Sequence, residues 1–303
     1  MNRREMLLTA GAGALALLPV GSAARADEPK KRILMYTKSD TYEHDVVKRK
    51  GGKLSLAEEI VTHLGQHHGF DVQCEKDGRV FQSDSFKNFD GFFFETQGDL
   101  TRENGVDKET PMTPEGKKNL LDAVAEGKGF VGSHCASDTF HTHGYPGNRW
   151  QTQDRDQVDP YIAMVGGEFI RHGPQQRSWL KLVDPRFPGF KGLADFGVVE
   201  EWYSLKNFAP DLHVIMVQET AGMHNRDYER PDFPQTWARM HHKGRVFYTS
   251  LGHRDDVWTN PAFHHILAGA IAWALGREQA DLSPNLDKAA PGANQLPQPP
   301  TKE

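Results

Sequence analysis

The chain has 303 residues, of which 37% are hydrophobic and 25% charged, with a formal net charge of -5. That is the balance of an ordinary soluble globular protein, long enough for one large domain or two small ones. It supplies no basic field for gripping phosphates, so nucleic acid is not an expected partner.

The first element in chain order is a signal rather than part of a fold. Arg3 and Arg4 precede an apolar run from Leu7 to Val20, and Ala24-Arg25-Ala26 offers small residues at a cleavage point. This is the pattern of a twin-arginine export signal over residues 1–26, which places the mature protein in the periplasm or otherwise outside the cytoplasm. The run is too short and too rich in Gly and Ala to span a bilayer, so no membrane contact is expected once it is removed. Gly11-Ala12-Gly13-Ala14-Leu15-Ala16 matches a dinucleotide fingerprint only as a string, because it follows no strand and lies inside the signal. No P-loop occurs either, and no nucleotide cofactor is expected.

Arg32 to Tyr36 is a short apolar run and a first strand. Leu56, Ile60, Val61 and Leu64 recur at helical spacing, and the helix ends near Gly69. Phe70 to Cys74 alternates as a second strand, and Gly91 to Glu95 is nearly continuously apolar, as in a strand covered on both faces. Thr113-Pro114 opens a helix whose buried stripe is Leu120, Leu121 and Val124, closed by Gly127. Gly129 to Gly132 is a fourth strand running into Ser133-His134-Cys135. This rhythm predicts an α/β fold with a parallel sheet. Beyond it come a short helix over Asp159–Val165, strands over Trp179–Val183 and His213–Val217, and a hairpin of Thr236–His241 with Arg245–Thr249. A last helix runs from Asn260-Pro261 to Gly276. From Ala280 the sequence is dominated by Pro, Asn, Gln and Ala and reads as a disordered tail over 280–303, leaving one domain over 27–279. Cys74 and Cys135 are the only cysteines, and nothing around them suggests that they pair.

Open parallel sheets bind ligands beyond the carboxyl ends of their strands. Those positions hold Ser39, Tyr42, His44 and Asp45, then Glu95, Thr96 and Gln97, then His134, Ser137 and Asp138, and finally His253. Gly132-Ser133-His134-Cys135-Ala136 has the small residues of a cramped strand-to-helix elbow, with His134 at the tip where a nucleophile would stand. A histidine there serves as acid, base or metal ligand near neutral pH. A register one residue later would make Cys135 a nucleophile with His253 as its base.

These stretches resemble the ThuA-like (trehalose-utilisation) family of the class I glutamine amidotransferase-like superfamily. The resemblance is carried by Tyr42-Glu43-His44-Asp45, Thr96-Gln97-Gly98-Asp99, the elbow Gly129 to His134 with Asp138-Thr139, Val165 to Phe169 with His172, Glu200-Glu201-Trp202-Tyr203, and Gly244 to His253. Cys135 and Ser137 depart mildly from the His-Ala-Ala that usually follows the elbow in the family. The resemblance implies a flavodoxin-like open sheet flanked by helices, no working amidotransferase triad, and a substrate among disaccharides and their 3-keto forms.

The site expected from both lines has His134, Asp138 and His253 in the chemistry, with Asp138 orienting His134. His44, Asp45, Glu201, Trp202 and His172 would bind the sugar. His44, His134 and His253 form a metal set, with Glu201 or His172 completing a zinc-like group of nitrogen and oxygen donors. No compact ligand motif is present. Among Trp150, Trp202, Tyr203, Trp237 and Trp258, Trp202 is the expected stacking face for a sugar ring. His141-Thr142-His143, His67-His68, His241-His242 and His264-His265 read as surface or helix positions. A non-catalytic sugar-binding or complex-assembly module would keep the pocket and Trp202 without needing a perturbed histidine.

Overall fold

Four strands expected of a parallel sheet become neighbours in a computed structural model, which describes residues 29–144 and 154–297. The expected signal over 1–26 and Trp150 lie outside the described residues. The elements in order are β1 (Lys31–Tyr36), α1 (Leu56–His68), β2 (Phe70–Glu75), β3 (Gly91–Phe94), α2 (Pro114–Ala125) and β4 (Gly129–Ser133). Then come α3 (Pro160–Val165), β5 (Glu168–His172), β6 (Gln176–Leu182), β7 (Phe196–Glu200), β8 (Tyr203–Lys206) and β9 (His213–Gln218). The chain continues through β10 (Phe233–His241), β11 (Gly244–Thr249), α4 (Asp255–Trp258), α5 (Pro261–Ala274) and α6 (Leu286–Ala289).

Nine strands form one sheet in the order β2-β1-β3-β4-β11-β10-β9-β6-β7, and β5 pairs with β8 in a separate ribbon. The half from β2 to β11 is parallel throughout. From β10 outward every neighbour is antiparallel. Side chains of the parallel strands alternate between two cores. Leu34, Tyr36, Phe92, Phe94 and Phe130 enter one, while Ile33, Met35, Phe93 and Val131 enter the other. That double burial is why these strands carry no polar face. On the first face lie α2, α3 and α6, and on the second α1, α4 and α5.

Local chemistry sets the helix starts. Ser55 and Glu58 form a reciprocal capping box at α1, and Thr113 accepts from the Gly116 N–H at α2, whose first residue is Pro114. The α/β class holds. The stretch from Ala280, expected to be disordered, instead packs as far as residue 297. Leu286, Ala290 and Ala293 are buried, Asn285 exchanges hydrogen bonds with the backbone of Val214, and Arg230 donates to the Ala293 carbonyl. Few apolar residues suffice because they dock on an existing core.

Candidate metal centre

The loops beyond β1, β3 and β4 stay in register after the strands end, through parallel bridges Ser39–Gln97 and Gly98–Thr139. Gln97 ties them further. Its Oε1 accepts from the Thr41 N–H and hydroxyl and from the Tyr42 N–H, while its amide nitrogen, Nε2, donates to Asp138 Oδ2. This places His44 just ahead of a 3-10 turn at Asp45–Val47 and His134 at the start of another at His134–Asp138. The elbow is as cramped as its small residues predict: a Cβ on Gly132 would sit 3.0 Å from that of Ala136. His134 adopts a left-handed backbone, φ 36°, a strained state for a non-glycine residue. His253 follows β11, and Glu201 lies between β7 and β8.

One ligand atom from each of His44, His134, Glu201 and His253 lies within 4.8 Å of the others. The imidazole rings stand nearly edge to face, with centroids 5.0 to 5.2 Å apart. Glu201 Oε2 is the shared point, 3.2 Å from His253 Nδ1, 3.6 Å from His134 Nε2 and 4.0 Å from His44 Nε2. His134 Nδ1 donates to the Ser250 carbonyl at 3.1 Å, which leaves Nε2 as the lone-pair nitrogen facing the cluster. That Nε2, together with His44 Nδ1 and His253 Nδ1, is buried without a well-formed hydrogen bond. Burial holds His44 well below the usual imidazole range, helped by the neighbouring His134 and His253. At Glu201 burial acts upward, but His134 and His253 outweigh it and hold the carboxyl far down, fully ionised. Burial would lower His253, yet its contact with Glu201 raises it. Three imidazoles around one carboxylate are a donor set that can hold a divalent metal.

The family model for trehalose utilisation, ThuA, matches residues 32–274. The chain belongs to the ThuA family. Membership supports a carbohydrate-related role. Among solved structures, a ThuA-like protein from Bacteroides uniformis is 18% identical with a TM-score of 0.60, over 86% of this chain and 97% of that one. Another from Parabacteroides merdae is 16% identical with a TM-score of 0.56, over 84% and 93%. At these identities the likeness is one of fold. A search of curated proteins gives no match.

In this ThuA chain the remaining expected residues divide. His172 joins the cluster from outside: it is 42% exposed, with Nδ1 3.4 Å from Glu201 Oε1. Asp138 does not orient His134. It accepts from His141 Nε2 at 2.6 Å, and the Ser250 carbonyl does the orienting instead. Asp45 is exposed and does not enter the cluster. Trp202 is not a stacking face. It is fully buried, its indole donating to the Gln176 carbonyl, and Trp237 and Trp258 are buried too. Tyr203 packs beneath the site, its ring 4.2 Å from that of His134. Beside the cluster Tyr42 is 58% exposed and edge-on to His44 at 4.9 Å.

Cys135 is no nucleophile of the activated kind. It is buried and donates to Glu95 at 3.2 Å, and burial together with that carboxyl pushes the thiol up. Neither cysteine is in a disulfide. His141, read from sequence as a surface position, is enclosed between Asp138 and Glu168, with Nδ1 3.3 Å from Glu168 Oε1. Burial would lower this imidazole, but the two carboxylates raise it to about 9. Among the described residues, no helix is long and apolar enough to cross a membrane.

Proposed function

We propose that this protein is an exported enzyme of carbohydrate catabolism. It holds a divalent metal such as zinc between His44, His134, Glu201 and His253 and acts on a disaccharide or a 3-keto sugar. The observation that carries the reading is three imidazoles gathered around Glu201 Oε2, with one buried nitrogen on each, His44 Nδ1, His134 Nε2 and His253 Nδ1, left without a good hydrogen bond. Buried polar atoms ordinarily find partners, and a cluster that leaves several unmatched is built for something that arrives later.

A metal held there would supply Lewis acidity toward a sugar carbonyl or hydroxyl oxygen. The protein's own groups do the rest. The Ser250 carbonyl keeps a proton on His134 Nδ1 and so keeps Nε2 available. His172, exposed at the mouth against Glu201 Oε1, is placed to exchange a proton with a sugar hydroxyl. Tyr42 offers its ring face to the C–H side of a pyranose beside His44.

Elemental analysis of the untagged mature protein, with a turnover screen on oxidised and unoxidised disaccharides with and without added metal, tests this. One equivalent of metal and metal-dependent turnover are expected. His134→Ala should remove both while the folded far-UV spectrum persists. Sugar binding with neither metal nor turnover would instead mark a non-catalytic binding module and end the enzymatic reading.

A further inference from the structure

A second carboxylate stands directly behind the cluster, and no step above uses it. Glu200, the last residue of β7, is fully buried. Its Oε1 accepts from the backbone N–H of both Gly252 and His253 at 2.8 Å each. Its Oε2 accepts from the N–H of Glu201, also at 2.8 Å. One side chain therefore fixes the main chain of two members of the cluster, His253 and Glu201, which are 52 residues apart in sequence. It also draws the end of β7, the edge strand of the sheet, onto the loop leaving β11.

The loop is shaped to be held this way. Gly252 has φ 132°, and a Cβ there would come within 3.4 Å of both Glu95 Oε2 and His134 Cβ. Three N–H donors aimed at one carboxylate are a charge-assisted arrangement, stronger than neutral hydrogen bonds. The carboxylate also stands next to His253, so that its charge acts on one of the imidazoles of the cluster.

We infer that Glu200 is the positioning residue of the metal centre: through the Gly252, His253 and Glu201 amides it sets the geometry in which His253 and Glu201 face a common ion. This rests on the metal reading of the cluster. Partners in the shell behind metal ligands typically change metal affinity about 10- to 100-fold when altered. Glu200→Gln keeps one acceptor oxygen but turns an amide N–H₂ toward an N–H donor, so it disturbs the arrangement without changing its size.

The test is metal affinity of the full mature protein, measured for Zn²⁺ by competition with a chelator. The visible spectrum of the Co²⁺ form is recorded alongside. Wild type should bind one ion, and Glu200→Gln should bind it about 10- to 100-fold more weakly with an altered Co²⁺ spectrum. Wild-type affinity and spectrum in Glu200→Gln would overturn the assignment while leaving the metal centre standing. Absence of stoichiometric binding by wild type would overturn the metal reading and this inference with it. If Glu200→Gln does not fold, Glu200→Asp is read the same way. It keeps the charge but is one methylene too short to reach both loops, so weakened binding supports the role and wild-type binding refutes it.

Discussion

Titrating His141 should loosen the protein above neutral pH, and the size of the effect follows from its surroundings. Its side chain is 11% exposed and lies between Asp138 at 2.6 Å and Glu168 at 3.3 Å. Burial opposes its charge, but the two carboxylates win and raise it from 6.5 to about 9. A group raised on folding stabilises most below its unfolded value and loses that contribution as pH climbs through its folded value. Over the whole gap the stabilisation is about 3 kcal/mol, and about 2.5 kcal/mol of it should vanish between pH 7 and pH 10. For a domain of this size that corresponds to a fall of about 5–10 °C in Tm. Other groups titrate in the same window, so the measurement is a difference: urea unfolding of wild type and of His141→Gln at pH 7 and at pH 10. Wild type should lose about 2.5 kcal/mol more than the variant between the two pH values. Equal losses in the two proteins would refute the claim that this imidazole is a buried cation.

Three other outcomes are expected. Tyr42→Ala should raise KM about 2- to 10-fold with kcat nearly unchanged, the signature of lost binding to an aromatic face; an unchanged KM would remove Tyr42 from the sugar site. Cys135→Ser should leave turnover within about twofold, whereas a loss of about a thousandfold or more would restore the cysteine as nucleophile. Ending the chain after Ser283 should cost about 3 kcal/mol or more in urea unfolding. It strips away the buried Leu286 and the paired hydrogen bonds of Asn285 with Val214, and an unaltered midpoint would mean the tail is passive.

What was legible in the sequence follows the range over which each signal acts. Strands β1, β3 and β4 announce themselves because burial on both faces leaves a continuous apolar run, and α1 and α2 because their caps are local. His44, His134 and His253 were legible as a group once the strands were, since a parallel sheet gathers its carboxyl ends on one edge. Trp202 misleads because backbone alternation sends consecutive residues opposite ways: Glu201 faces the cluster while Trp202 enters the core. Asp138 lies four residues from His134 and looks like its partner, but His141, three residues on, takes the carboxylate. Glu168, the other partner of His141, is 27 residues away, and no local pattern marks it. Strands β5, β7 and β8 went unread, for their burial is completed by segments remote in the chain.

The cluster is hard to explain as ordinary core. Rings this close and edge to face leave the buried atoms His44 Nδ1, His134 Nε2 and His253 Nδ1 without good hydrogen bonds, and each such atom costs about 1–3 kcal/mol. His134 adds backbone strain of about 1–3 kcal/mol at φ 36°. Apolar side chains would fill the same volume without these penalties, so stability alone gives no reason for the arrangement. Glu201 does not remove the difficulty, because its Oε2 is spread across three imidazoles at 3.2, 3.6 and 4.0 Å rather than paired with one. A single cation placed among them would take one ligand atom from each imidazole and from the carboxylate together. The strained elbow is the segment that carries His134 into that cluster.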